Sequence, residues 1–142
     1  MSGVGAGVQV LVVEDGDEIR DSLCEMLAFE GYHPIGCRTG ESAWTQLACG
    51  LRPRVLITDV ALPGLSGRQL VALIRQQAWG RELPVLLLSA WERAERLGIA
   101  ADLILDKCGE PVAIARAVDR LARWDAFSTR RPPQRKQPRQ LR

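Results

Sequence analysis

Val55-Leu56-Ile57-Thr58-Asp59-Val60-Ala61-Leu62-Pro63-Gly64-Leu65-Ser66-Gly67 is an apolar run that ends on a carboxylate and passes into a turn. Residues 55–58 read as a short buried strand, and Pro63, Gly64, Ser66 and Gly67 supply turn chemistry. Burying a charge without a partner is costly, so Asp59 is a poor structural choice at this place and a good chemical one. Open parallel sheets bind their ligands just beyond the carboxyl ends of the strands. The pattern recurs at three other strand ends: Glu14 and Asp15 follow Gln9-Val10-Leu11-Val12-Val13, Ser89 follows Val85-Leu86-Leu87-Leu88, and Lys107 follows Leu103-Ile104-Leu105-Asp106.

Segments of helical period separate these runs. Residues 17–30 place Ile19, Leu23, Met26 and Leu27 on one face, and Gly31 ends that helix. Residues 33–37 form a short second strand, with His33 expected to be exposed at its edge. Thr39 is placed to cap a helix that runs through Cys49. Ser66 and Gln69 have capping-box spacing, Leu65 can staple onto Leu70, and Leu70, Leu73 and Ile74 carry the buried stripe onward. The last helix, from about Pro111 to Trp124, shows Ile114, Ala117, Val118 and Leu121 on one side. Pro111 suits its first turn, where an N–H would lack an intrahelical partner. Short apolar strands alternating with amphipathic helices predict an α/β fold: a doubly wound, five-stranded parallel sheet of order 2-1-3-4-5, with all functional strand ends on one edge.

A chain of 142 residues suits one domain with a real core, and 46% hydrophobic with 25% charged residues places it among soluble globular proteins. No apolar run approaches the length of a membrane span, and residues 1–7 lack the features of a secretory signal. Cys24, Cys37, Cys49 and Cys108 form no C-x-x-C pair, so free thiols in a reducing cytoplasm are expected. With His33 as the single histidine, no zinc site is expected. The net charge of +2 is unevenly placed: residues 130–142 hold six basic residues and no acid, which leaves 13 basic and 17 acidic residues before them. The expected organisation is a flexible start over 1–7, a folded domain over 8–125 and a basic disordered tail over 126–142. The tail lacks aromatic interleaving and the chain lacks a DNA-binding motif, so no DNA role is expected.

Glu14, Asp15 and Asp59 would crowd three carboxylates into one pocket, where like charges disfavour joint ionisation. A divalent cation relieves this, and hard oxygen ligands with room for water suit Mg²⁺. Carboxylates also act as phosphoryl acceptors. A phosphoryl group on Asp59 needs its oxygens neutralised: Lys107 offers a point charge, Ser89 a hydroxyl donor, and the metal a further positive charge.

The ordered set of residues resembles a receiver domain of the two-component response-regulator family, across roughly residues 8–124. It comprises the acidic pair Glu14-Asp15 after strand one, Asp59, Pro63 and Gly67 spaced as D-x-x-x-P-x-x-x-G, Ser89-Ala90 ending strand four, and Lys107 ending strand five. Gly31-Tyr32 before strand two and Thr39-Gly40-Glu41 opening the second helix are lesser echoes. The resemblance implies a flavodoxin-like fold and a division of roles. Asp59 would take a phosphoryl group from a phosphohistidine on a histidine kinase or a phosphotransfer protein. Asp15, Asp59 and the Ala61 backbone carbonyl would bind Mg²⁺ directly, and Glu14 through water. Ser89 would move toward the phosphoryl group and Lys107 would pair with it, biasing a two-state equilibrium that partners read.

Three features depart from the family's pattern. Ile104 stands where an aromatic switch residue is usual, Cys108 stands where proline usually follows the lysine, and the stretch between Ser89 and Lys107 leaves residues 91–97 only about two helical turns. A shortened fourth helix and an altered output surface are therefore expected, with Trp91 a candidate to overhang the pocket. With some 18 residues after Trp124, the expectation is a stand-alone cytoplasmic receiver, a monomer or weak dimer, that signals by protein contact. The alternative is a pseudo-receiver that binds proteins independently of phosphate. An aspartate-nucleophile phosphatase is disfavoured, because its second acid would fall at Ala61. A dinucleotide site at Gly3, Gly5 and Gly7 is rejected, since these glycines precede a strand rather than join a strand to a helix.

Overall fold

The apolar runs form five strands, β1 (Gln9–Val13), β2 (His33–Cys37), β3 (Val55–Asp59), β4 (Val85–Ser89) and β5 (Leu103–Asp106). The computed structural model describes residues 7–89, 101–107 and 109–127, the last four by backbone alone. Neighbouring strands pair in parallel in the order β2-β1-β3-β4-β5, as the alternation of strand and helix requires. The helices are α1 (Asp17–Phe29), α2 (Gly40–Ala48), α3 (Gly67–Arg75) and α4 (Pro111–Phe127), with a 3-10 turn at Ala78–Gly80. The expected short helix over 91–97, Trp91, Cys108 and the basic stretch 130–142 lie outside the described residues.

Because successive residues of a strand point to opposite faces, each central strand feeds two cores. Leu11, Val13, Leu56, Val85 and Leu87 meet Ala43 and Leu47 of α2 and Leu70, Val71 and Ile74 of α3. Val10, Val12, Val55, Ile57, Leu86 and Leu88 meet Leu23 and Leu27 of α1 and Ile114, Ala117, Val118 and Leu121 of α4. Both faces of the sheet are covered, which is why β1, β3 and β4 read as continuous apolar runs.

Two details differ from the sequence reading. Ile19 is 42% exposed rather than on the buried stripe of α1. It sits in the first turn, which overhangs the β1–α1 loop near Gly16, while Leu23 and Leu27 further along face the sheet. Helix α4 also continues to Phe127, past the expected end at Trp124. The expected caps form: Thr39 Oγ1 accepts the Ser42 N–H at 3.0 Å, and Ser66 and Gln69 close a capping box. Gly31 takes φ 99° directly after α1, a backbone conformation that glycine adopts without strain.

Candidate functional site

All five strands point the same way, so Glu14, Asp59, Ser89 and Lys107 arrive on one edge of the sheet. Asp59 is the last residue of β3 and is 4% exposed. It pairs in register with Leu88, and Ser89, itself buried, lies one position further along β4. The Lys107 N–H donates to the Ser89 carbonyl at 3.0 Å, which ties the start of the β5 loop to the end of β4.

The side chain of Lys107 reaches back across β4. Its Nζ donates to Asp59 Oδ2 at 2.6 Å and lies 3.4 Å from Glu14 Oε1. Burial works against the ammonium, but the bonds and charges of Asp59 and Glu14 outweigh it and hold Lys107 above its ordinary range. Lys107 therefore stays charged. Asp59 Oδ1 accepts the Ala61 N–H at 3.3 Å, which turns the chain immediately after the strand.

Glu14 is the more constrained acid. Its side chain is 2% exposed, and Oε2 accepts the Gly16 N–H at 2.9 Å. Oε1 is buried with no hydrogen-bond partner. Burial raises the pKa of this carboxyl, and the Asp59 charge adds to the rise; Gly16 and Lys107 only partly oppose it. Asp15 is exposed at the rim. Ligand oxygens of Glu14, Asp15 and Asp59 all lie within 4.8 Å of one another. Three crowded carboxylates, one with a buried oxygen that has the Lys107 ammonium at 3.4 Å but no hydrogen bond, form a hard-oxygen donor set suited to a small divalent cation.

The structure thus brings together the acids, the hydroxyl-bearing strand end and the lysine expected to converge. It also reveals contributors that the sequence did not disclose, Arg20 and Gly36, and the reason for Gly67. Arg20 donates to the Glu14 carbonyl at 3.0 Å and to Asp17 Oδ1 at 2.7 Å, which braces the loop carrying the acidic pair. The lack of a side chain on Gly36 in β2 leaves room for the Arg20 stem. The one legible signal was an arginine five residues past Asp15, on the α1 turn that faces β2. Gly67 fits α3 directly under Asp59, where any Cβ would collide with the Asp59 carbonyl.

An acid-lined pocket with an inward lysine, on the carboxyl edge of a 2-1-3-4-5 sheet, defines a receiver-type signalling module. Residues 10–119 match the model of the response regulator receiver domain, and the chain belongs to that family. It is 34% identical over 131 residues to the response regulator MprA of Mycobacterium tuberculosis, covering 89% of this chain and 53% of that protein. It is 31% identical over 119 residues to the phosphate regulon transcriptional regulatory protein PhoB of Klebsiella pneumoniae, covering 81% and 52%. The chain spans about half the length of these curated relatives. Among solved structures, the chemotaxis response regulator CheY4 of Vibrio cholerae superposes with a TM-score of 0.72 at 27% identity, covering 82% of this chain and 99% of that one. A response regulator from Chloroflexus aurantiacus superposes with a TM-score of 0.77 at 30% identity, covering 82% and 98%. Receivers are signalling modules rather than turnover enzymes. Among the described residues no helix is long and apolar enough to cross a membrane.

Proposed function

We propose that this receiver, taken as residues 8–125, accepts a phosphoryl group on Asp59 from a phosphohistidine of a sensor kinase or phosphotransfer protein, and signals by protein contact. The observation that carries the reading is the Lys107 ammonium held 2.6 Å from Asp59 Oδ2, in the same pocket as Glu14 and Asp15. Glu14, Asp15 and Asp59, with the Ala61 carbonyl, would hold Mg²⁺; when bound, it supplies positive charge to offset the phosphoryl oxygens. An Asp59 carboxylate oxygen attacks phosphorus. The P–N bond breaks, its electron pair goes to the imidazole nitrogen, and that nitrogen takes a proton from solvent. Lys107 turns from the free carboxylate to the new phosphoryl oxygens, and the Ser89 hydroxyl donates to them. The same proposal puts the protein in the cytoplasm, as a monomer or weak dimer.

Incubation with acetyl phosphate and Mg²⁺, followed by intact-mass spectrometry, tests the reading. Wild type should gain one phosphoryl mass and Asp59→Asn none; an unmodified wild type overturns it. A pseudo-receiver is the second reading, favoured by Ile104, which packs half-buried against the α2/α3 core where the family usually carries an aromatic ring. Such a protein would capture the same partner as wild type and as Asp59→Asn, with or without phosphodonor.

A further inference from the structure

The Thr39-Gly40-Glu41 segment does more than start a helix. With Thr39 as cap, Gly40 and Glu41 occupy the first turn of α2. Gly40 is buried, and any Cβ there would run into the backbone carbonyl of Leu65, so α2 begins flush against the loop that follows Asp59. From the next position Glu41 Oε2 accepts the Leu65 N–H at 2.9 Å, across 24 residues of sequence. Gly64 completes the arrangement: its φ of 73° is left-handed, and a Cβ there would press on the Glu41 carboxylate.

Two bare positions and one side-chain bond thus join α2 to the segment 60–66. That segment has no regular secondary structure and carries Ala61, whose N–H meets Asp59 Oδ1. A carboxylate accepting a backbone N–H makes a stronger bond than a neutral acceptor would.

We propose that Glu41 is a positioning residue for the phosphoacceptor site: its carboxylate latches the β3–α3 loop through Leu65 and thereby sets the placement of the Ala61 carbonyl beside Asp59. The inference rests on the reading of Asp59 as a Mg²⁺-dependent phosphoacceptor. Groups that orient ligands from behind typically change metal affinity by about 10–100-fold when removed. The latch lies at the surface, so its loss acts on the site more than on global stability.

The test uses the full chain and MgCl₂ alone, by calorimetric titration, with amide exchange at Leu65 as a second readout on the metal-free protein. Glu41→Ala should weaken Mg²⁺ binding about tenfold, expose the Leu65 amide to faster exchange and leave the unfolding midpoint close to wild type. Glu41→Gln keeps an acceptor oxygen and should recover most of the affinity. Gly64→Ala pushes the carboxylate away, so adding Glu41→Ala to it should cost little more. Mg²⁺ affinity unchanged in Glu41→Ala overturns the inference, as does a change confined to the unfolding midpoint. A wild type that binds no Mg²⁺ overturns the phosphoacceptor reading and this inference with it; wild-type binding matched by Glu41→Ala overturns the inference alone.

Discussion

Lys107 serves two acids at once, Asp59 at 2.6 Å and Glu14 at 3.4 Å, and this double duty sets the chemistry of the pocket. Without it, two buried carboxylates would face each other with no fixed cation between them. Lys107→Met should lower the stability of the metal-free protein by about 1–3 kcal/mol, and millimolar Mg²⁺ should restore part of the loss in urea denaturation. Glu14 adds a pH dependence. Its folded-state pKa is raised above the ordinary 4.5, chiefly by burial, so in the window above 4.5 the folded state holds more protons than the unfolded one. The contribution of Glu14 to stability therefore falls as pH rises through that window. Glu14→Gln keeps an acceptor for the Gly16 N–H but carries no charge. Denaturation midpoints from pH 4 upward should show the decline in wild type and a flatter profile in the variant. The residue types at 14, 59 and 107 were legible in the chain because each closes an apolar run. The burial of Glu14 Oε1 was not, because it depends on which neighbours fill the space around it.

At the scale of elements, α3 is the piece that anchors the loop after Asp59. Its start was readable: a serine and a glutamine three residues on form both halves of a capping box, and an apolar stripe follows. Ser66→Ala should cost about 1 kcal/mol, read as a shifted urea midpoint with wild-type phosphorylation. Gly67 obeys a different constraint, since the Asp59 carbonyl occupies the place of a Cβ and the Gly67 N–H donates to the Val60 carbonyl at 3.0 Å. Gly67→Ala should cost about 1–3 kcal/mol through overpacking. It should also slow phosphorylation, because relief can come only by moving α3 or the end of β3. Helix α1 shows the limit of periodicity. Leu23 and Leu27 follow the stripe into the core, while Ile19 has the right spacing and remains exposed. A helical repeat states which residues share a face; it does not state where along its length the helix leaves the sheet.

Across the whole molecule, a partly buried ion pair ties distant pieces together at the edge opposite the acidic pocket. Arg75, at the end of α3, donates to the carbonyls of Gly80 at 2.8 Å and Leu83 at 2.7 Å and lies 3.4 Å from Asp102 Oδ2. Asp102 Oδ2 in turn accepts the Val85 N–H at 2.8 Å, joining the start of β4 to the approach to β5. Removing the Asp102 carboxylate leaves the buried Val85 N–H without its acceptor, so Asp102→Ala should lose about 1–3 kcal/mol, measured by denaturant titration, and Asp102→Asn less. Nothing in the local pattern singled out Arg75 or Asp102. The element order, the parallel 2-1-3-4-5 sheet and the identity of the groups at its carboxyl edge were all determined by the sequence alone. Period-two and period-3.6 burial, caps and strand-end polar residues are short-range properties, and right-handed crossovers leave few ways to assemble them. Only the tertiary structure decided that Lys107 spans Asp59 and Glu14, that Arg20 braces the acidic loop, that Glu41 reaches Leu65 and that Arg75 finds Asp102. All but those of Arg20 join residues remote in the chain, and a hydrogen bond needs its atoms placed to within a fraction of an ångström, which is set by how helices and strands pack and not by any local repeat.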